Sequence, residues 1–575
     1  MRSKVTKKNG KEKAESAKES VAVGDLSVKR FYPLKKYLLL LFVRALFSIF
    51  VVVKRTLTRN RMWALLASVV LLAPAWLGFS GLSLLVALTP LLCISSSFED
   101  TRRGWWGAFL WALMVFVGWS VTTVWWIWNA TPVGPVAATL FTTFWCMLAF
   151  MLYHTVSKRA PKSVAYTLLV SGWISAEYLY MQSDFSWPWL TLGNGFSHNV
   201  TLVQWYEYTG VYGGTLWVLI SNVLIYEAWM QRRRVIAILA GLWIIIPIVI
   251  SGVIYVTFDE PEQRSRVTIL QPNVDCYDKF NTNDEWQEQN LMELLCRADR
   301  ASDFIVAPET ALTRHMNELT IDSYPHLQLF IDTLKKSYPQ TTFVSGANTV
   351  KFYNALNRTA TSRAGRGYYY DHFNSAIGVD SAGVQGIYHK GKLVIGVENT
   401  PTWVFKALDF LVVDLGGVLG QIGHGGNHQL FTSASGVKAG PAICYEGLYG
   451  DFYGEFVRQG ADLMFIVSND GWWGDTPGYK HLFSFTALRA IEHRRSVARS
   501  ANTGQSGFFD CRGLAVGPTL GWDERGVITY DMPINEDITL YTRYGDYIAR
   551  ISLLIFMLTI LYYIAYRVKR KNLMA

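Results

Sequence analysis

The sequence predicts a polytopic α-helical membrane domain, with about eight transmembrane helices, joined to an extracytoplasmic α/β domain. Three observations carry this. The 575-residue chain is 51% hydrophobic and contains 22 Trp, a combination that soluble domains seldom reach. Its long apolar runs are confined to the first half and the last thirty residues, whereas residues 258–545 have the composition of an ordinary globular domain large enough for one core. Its basic residues cluster in alternate loops between the apolar runs. The net charge of +10 is therefore a membrane-topology signal and does not indicate a nucleic-acid partner.

Residues 1–36 are rich in Lys, Ser, Glu and Gly and read as a disordered basic cytoplasmic tail; the charged stretch is too long for a signal peptide. Residues 37–61 read as an interfacial amphipathic helix and a basic linker, because the apolar stretch 37–53 contains Arg44 and is flanked by Lys35-Lys36 and Lys54-Arg55; a short re-entrant helix is the alternative. A seven-helix transmembrane domain follows over 62–257. Its spans are 62–78, 81–98, 106–128, 134–155, 164–181, 212–230 and 235–257, each near the roughly 20 residues a bilayer requires. Residues 546–575 supply a last span, 548–566, and a basic tail. Arg102-Arg103, Lys158, Arg159, Lys162 and Arg232–Arg234 lie after the second, fourth and sixth spans, and Arg567 to Lys571 after the eighth, while the loops between carry no Lys or Arg. Basic loops stay cytoplasmic, so both termini are expected inside and the 258–545 domain outside. The outer loop 182–211 carries Trp187-Pro-Trp189, read either as an interfacial aromatic belt or as the lining of a lipid-facing cleft, two readings that are compatible.

Within 258–545, short apolar runs alternate with helix-like stretches. Val267–Leu270, Phe304–Val306, Thr342–Ser345, Ser375–Val379, Leu463–Val467 and Gly507–Phe509 read as buried strands, and Glu285–Ala301, Ser323–Ser337 and Phe483–Arg499 as helices. Such alternation predicts a layered α/β domain. The six cysteines show no CxxC and no metal-ligand spacing, and spacing leaves the pairing of Cys276 with Cys296 open.

Ionisable residues stand at three strand ends: Glu309 after Val306-Ala-Pro, Lys390 in Ile387-Tyr-His-Lys, and Cys444 after Pro441-Ala-Ile. Singly, each has a structural explanation: Glu309 can cap a following helix, Lys390 can be a solvated edge-strand charge, and Cys444 can be packing. Together they meet one chemical need. A thiol attacking a carbonyl must lose its proton, and a carboxylate can take it, more readily if burial raises the carboxylate pKa. An ammonium beside them lowers the thiol pKa and can hold the developing oxyanion.

These residues, with Tyr388-His-Lys390-x-x-Leu393, Cys444-Tyr-Glu446 and Ser468-Asn-Asp-x-Trp472, resemble the motifs of the carbon–nitrogen hydrolase (nitrilase) superfamily. With seven spans before the domain and one after, and with Trp187-Pro-Trp189-Leu-x-x-Gly193, Gln271-Pro-Asn273 and Phe373-Asn-Ser375, residues 60–566 resemble its membrane-bound apolipoprotein N-acyltransferase family. The resemblance implies a nitrilase-like αββα sandwich, with Glu309 as general base, Lys390 as oxyanion-stabilising lysine and Cys444 as nucleophile. It also implies supporting or substrate-binding roles for Glu398, Tyr445, Glu446, Asn374 and, at the substrate entrance, Phe280 with Trp187 and Trp189. Leu411-Val-Val413 is a further candidate wall, or core. The implied reaction is a ping-pong acyl transfer from a phospholipid donor to a diacylglyceryl apolipoprotein acceptor, by a monomer in the bacterial inner membrane, with no cofactor and no metal. The sequence departs from the family at Leu393-Val-Ile-Gly-Val-Glu398, where Pro and Phe are absent, and at Phe280, where Trp is usual. The same triad would serve a membrane-tethered amidase that passes the acyl group to water, or an acyltransferase with another amine acceptor. A catalytically dead binding module is disfavoured because Glu309, Lys390, Cys444, Glu398 and Glu446 are all retained.

Overall fold

A computed structural model of the chain describes residues 61–183, 185–279, 283–394, 398–399 and 422–574. The expected basic tail, the 37–53 surface helix, Phe280 and Leu411–Val413 lie outside the described residues.

The N-terminal half is helical. Among the described residues five helices are long and apolar enough to cross a membrane: Arg102–Asn129, Gly134–Ser157, Tyr206–Gln231, Arg234–Thr257 and Tyr547–Leu573. The first two expected spans are instead broken. The first is a helix over Arg61–Leu72 that gives way to a 3₁₀ turn at Pro74–Trp76, since proline cannot donate to the ladder. The second is split into Gly81–Ser83, Leu84–Ala87 and Thr89–Ser96, with Pro90 opening the last piece. The amides freed at that break are not wasted: Asn222 Oδ1 accepts from Leu88 N at 2.7 Å and Thr89 N at 2.9 Å. The fifth expected span forms a helix over Lys162–Gln182 that holds a buried carboxylate, Glu177. Thr215 Oγ1, Leu192 N and Trp173 Nε1 donate to it at 2.7, 3.0 and 3.1 Å, which is how an acid is tolerated among apolar helices.

The remainder folds as four layers. Among the described residues one sheet has seven strands in the order β13-β1-β2-β3-β5-β4, with β6 also on β5, and the other has six, β12-β11-β10-β9-β8-β7; of these β7 is Phe431–Thr432, β11 Ser506–Phe509, β12 Ala515–Leu520 and β13 Gly526–Pro533. The strands that matter below are β1 (Arg264–Gln271), β2 (Phe304–Asn317), β3 (Thr342–Tyr353), β4 (Arg363–Ala364), β5 (Tyr369–Asp380), β6 (Gly383–His389), β8 (Lys438–Ile443), β9 (Leu463–Ser468) and β10 (Ser496–Ala501). The sheets share one core, in which Val267, Phe304, Val306 and Val344 meet Ala439, Leu463, Phe465 and Val497. Helices Asp284–Leu295 and Pro325–Ser337 cover the first sheet through Leu291, Leu294, Phe330 and Leu334. Helices Gly450–Arg458 and Pro477–His493 cover the second, where Gly440 leaves room for Phe456. The expected αββα sandwich is thus present.

Two helix boundaries differ from expectation. Asp284–Leu295 stops six residues short of Ala301. The helix expected over Phe483–Arg499 runs from Pro477 to His493, ends on Arg494 with φ +48°, and gives way to β10. The misreading has a physical cause: β10 carries Arg499, whose charge is neutralised inside by Asp470 at 2.8 Å, so a fully buried strand looks amphipathic in sequence.

Candidate active site

The parallel strands of both sheets end at the same edge of the sandwich, and Glu309, Lys390 and Cys444 are brought together there. Glu309 does not cap a helix. It sits inside β2, at a corner where the pairing with β3 slips between Ala307 and Leu312 and Thr310 adopts φ +50°. Gly346 of β3 faces this corner, and a Cβ there would lie 2.5 Å from Glu309 Cα, so only glycine allows the approach. Lys390 follows β6 and is 1% exposed, the opposite of a solvated edge charge. Its Nζ donates to Glu309 Oε1 and to Glu398 Oε1, each at 2.9 Å. An ammonium has three donors; among the described residues these two are engaged, which leaves one for an incoming oxygen. Asn374 of β5 donates from Nδ2 to the same two carboxylates, at 2.8 and 2.9 Å. The remaining Glu309 oxygen, Oε2, accepts the backbone N–H of Asn469, after β9, at 3.0 Å.

Cys444 ends β8 with φ +51° and opens a 3₁₀ turn over Cys444–Leu448. That strained backbone holds Cys444, which is half-buried, at the start of the turn. Glu446 fixes the turn. Its Oε2 accepts from Ile443 N at 2.7 Å, while Oε1 accepts from Tyr388 OH at 2.7 Å and from Gly391 N and Lys392 N at 2.5 and 3.2 Å. One carboxylate therefore buckles the Cys444 turn to the loop that carries Lys390.

The electrostatics are lopsided. Burial pushes the Glu309 carboxyl up, but the Lys390 ammonium and the donors on it outweigh burial and hold it below its ordinary value, contrary to the rise expected from burial alone. Burial and the Glu309 charge push the Cys444 thiol well up, with Lys390 only partly countering them. Lys390 is driven well up by its two carboxylates despite burial. At rest the proton thus belongs on sulfur, beside an ionised carboxylate and a charged lysine.

Four supporting groups escaped the sequence reading. Lys279 is 1% exposed and donates from Nζ to the Glu309 carbonyl oxygen at 2.8 Å; burial lowers its pKa to about 8. A single lysine in a loop gives no signal of this. Tyr388, Asn469 and the buried Asp470–Arg499 pair do lie in or beside motifs visible in the sequence. Cys276 and Cys296 are both free.

The site abuts the helices. Tyr445 OH donates to Ser186 O at 2.7 Å, and Tyr449 OH and Ser186 Oγ are 2.5 Å apart. The Tyr445 ring stacks on Trp189 at 6.3 Å, and Trp189 on Trp187 at 5.1 Å. Trp189 Nε1 donates to His481 Nδ1 at 3.1 Å, and His481 Nε2 lies 2.5 Å from Trp76 O, so the ring is the neutral Nε2–H tautomer; burial lowers its pKa to about 4.

Comparison with known proteins finds two family models. Residues 71–224 match the apolipoprotein N-acyltransferase N-terminal domain, and residues 266–538 match carbon-nitrogen hydrolase. Similar proteins include the apolipoprotein N-acyltransferase of Chlorobaculum tepidum, 29% identical over 494 residues, covering 81% of this chain and 89% of that one. That of Geobacter metallireducens is 25% identical, covering 81% and 87%. That of Thermotoga maritima is 24% identical, covering 72% and 74%.

Proposed function

The chain belongs to the apolipoprotein N-acyltransferase family, and from that premise we propose that it moves a fatty acyl group from a membrane phospholipid, through a thioester on Cys444, to the α-amine of the N-terminal diacylglyceryl-cysteine of apolipoproteins.

The reading assigns Glu309 as general base, Lys390 as oxyanion donor and Cys444 as nucleophile. As sulfur bonds to the ester carbonyl carbon, its proton passes to Glu309 and the carbonyl oxygen takes the third Lys390 N–H. Collapse of the tetrahedral intermediate breaks the ester C–O bond. The departing glycerol oxygen takes the proton from Glu309, and a lysophospholipid leaves. In the second half, the acceptor amine attacks the thioester and gives a proton to Glu309. The C–S bond breaks, the thiolate regains that proton, and an amide remains. The observation that carries the reading is the pair of 2.9 Å bonds from the buried Lys390 to Glu309 and Glu398, set beside Cys444. Because the resting thiol pKa is high and that of Glu309 low, proton transfer is uphill until a carbonyl is present. This suits an enzyme that must not hold a free thiolate.

The seat of the site against the helices suits a lipid donor. Withdrawing an acyl chain into water costs about 0.8 kcal/mol per CH₂, so a site at the bilayer surface avoids that cost; of the two expected wall residues Trp187 is half-buried and open to such a role, whereas Trp189 is buried against Tyr445. The alternation of basic and uncharged loops supports eight spans, both termini cytoplasmic, and a periplasmic catalytic domain. The test is mass spectrometry of the intact enzyme incubated with phospholipid. An acyl adduct on Cys444 that a diacylglyceryl peptide discharges and water does not is expected; rapid discharge by water would make the protein a hydrolase.

A further inference from the structure

Past the triad, the first sheet continues as a narrow arm. Strands β3 and β5 stay paired in unbroken register from Ser345↔Ile377 through Asn348↔Asn374 and Val350↔His372 to Tyr353↔Tyr369. Near the tip β4 adds Arg363↔Tyr370. Because alternate residues share a strand face, the face that carries Asn374 into the site carries Phe352 and Tyr370 at the tip. The arm is braced just below its tip: buried Asp371 accepts from Thr359 Oγ1 at 2.6 Å and Ser362 Oγ at 3.1 Å. Its tip nevertheless exposes an apolar cluster. Phe352, Tyr368 and Tyr370 lie within 5.3–6.2 Å of one another, and Phe352, Leu356 and Tyr368 are 38%, 93% and 44% exposed. The segment from 351 to 371 carries Lys351, Arg358, Arg363 and Arg366 against one carboxylate, Asp371, with Glu318 outside it acting on Lys351.

We propose that this arm is a docking surface for the anionic phospholipid headgroups of the bilayer in which the helices sit, holding the mouth of the site against the lipid. The inference rests on the functional reading above, because it needs a catalytic domain seated on a membrane. Two further observations point the arm to that membrane. The segments that touch the helices, Tyr445 and Tyr449 after β8 and Trp473 after β9, all follow the C-terminal ends of parallel strands, and the arm extends β2 and β3 beyond that same end. Its composition, exposed aromatics among cations with little opposing charge, is the pattern that binds a negatively charged lipid interface. An acceptor peptide is the rival occupant.

The test compares the full chain in detergent and in nanodiscs of phosphatidylcholine or phosphatidylglycerol by hydrogen exchange. In phosphatidylglycerol, amides 354–368 are expected to slow by roughly tenfold or more relative to detergent, with less protection in phosphatidylcholine. A combined F352S, L356S, R358S and R366S variant is expected to lose the difference. Its apparent KM for phosphatidylglycerol should rise roughly fivefold per cation removed, while its turnover of a water-soluble short-chain ester is retained. Equal exchange in all three environments would overturn the proposal. So would protection that appears in detergent only when a diacylglyceryl peptide is added. Adduct formation on Cys444, read on the same samples, separates the two ideas: its absence in the unaltered chain sinks the acyltransferase mechanism, whereas unprotected amides with a normal adduct sink only the arm.

Discussion

Glu309 and Glu446 are buried carboxylates in the same site, and the chain treats them oppositely. Glu309 faces the Lys390 ammonium and is held below its ordinary pKa; Glu446 faces a tyrosine hydroxyl and backbone amides, and burial raises it to about 7. The difference shows what each can do. A carboxylate beside a cation stays ionised and ready to accept a proton. One held by neutral donors is costly to ionise and serves to pin backbone. The proposed base and the buckle are the same kind of side chain, distinguished chiefly by the lysine bonded to Glu309.

The comparison is broken most severely at the nucleophile. Cys444→Ala should remove the adduct and reduce N-acylation to background without changing membrane insertion, as intact-mass and lipoprotein assays would register; retained transfer would end the assignment. Glu309→Gln sharpens it. Acyl transfer should fall by about 10²–10⁴-fold. Yet the alkylation of Cys444 by iodoacetamide should move to lower pH, because the Glu309 charge is one of the groups raising the thiol. A midpoint moving upward would show that Glu309 does not act on the sulfur. Glu446→Gln probes the other side. An amide cannot accept at both ends, so Ile443 N or Gly391 N loses its partner, at a cost of about 1–3 kcal/mol in thermal unfolding. Glu446 carries a further signature. Its folded pKa is raised, so its contribution to stability is full below about 4.5 and declines as pH rises to about 7; the variant should lack that decline. Glu309 has the reverse sign: its contribution holds at neutral pH and is lost as pH falls through its lowered value. The smallest effect is expected from Trp189→Phe, which keeps the stack on Tyr445 and loses the bond to His481, about 1 kcal/mol by melting temperature.

Much of this was legible in the sequence, for reasons that differ by element. Buried parallel strands such as Leu463–Ser468 are an unbroken apolar run up to the last residue and announce themselves. The charge alternation of the loops is equally plain. β10 was misread because Arg499 finds its counter-ion on another strand, which no local pattern encodes. The broken helix over 81–96 escaped because its compensation, Asn222, lies more than 130 positions away. Glu309, Lys390 and Cys444 stood out as a chemical set. The direction in which Glu309 titrates did not, since it depends on Lys390 and Asn374 approaching from two other strands. Lys279 had no signal at all.

Ser186 lies in the loop between the helices Lys162–Gln182 and Tyr206–Gln231 and is bonded to Tyr445 in the Cys444 turn and to Tyr449 just after it. It precedes Cys444 by some 260 positions and is synthesised long before it. The turn therefore obtains its outer partner only once helices and catalytic domain have come together. A domain that has not yet met its helices carries Cys444 on a turn missing that tether. Under the proposed reading, the Cys444 turn is in this way tied to assembly: its outer tether forms only when the helices and the second domain have met.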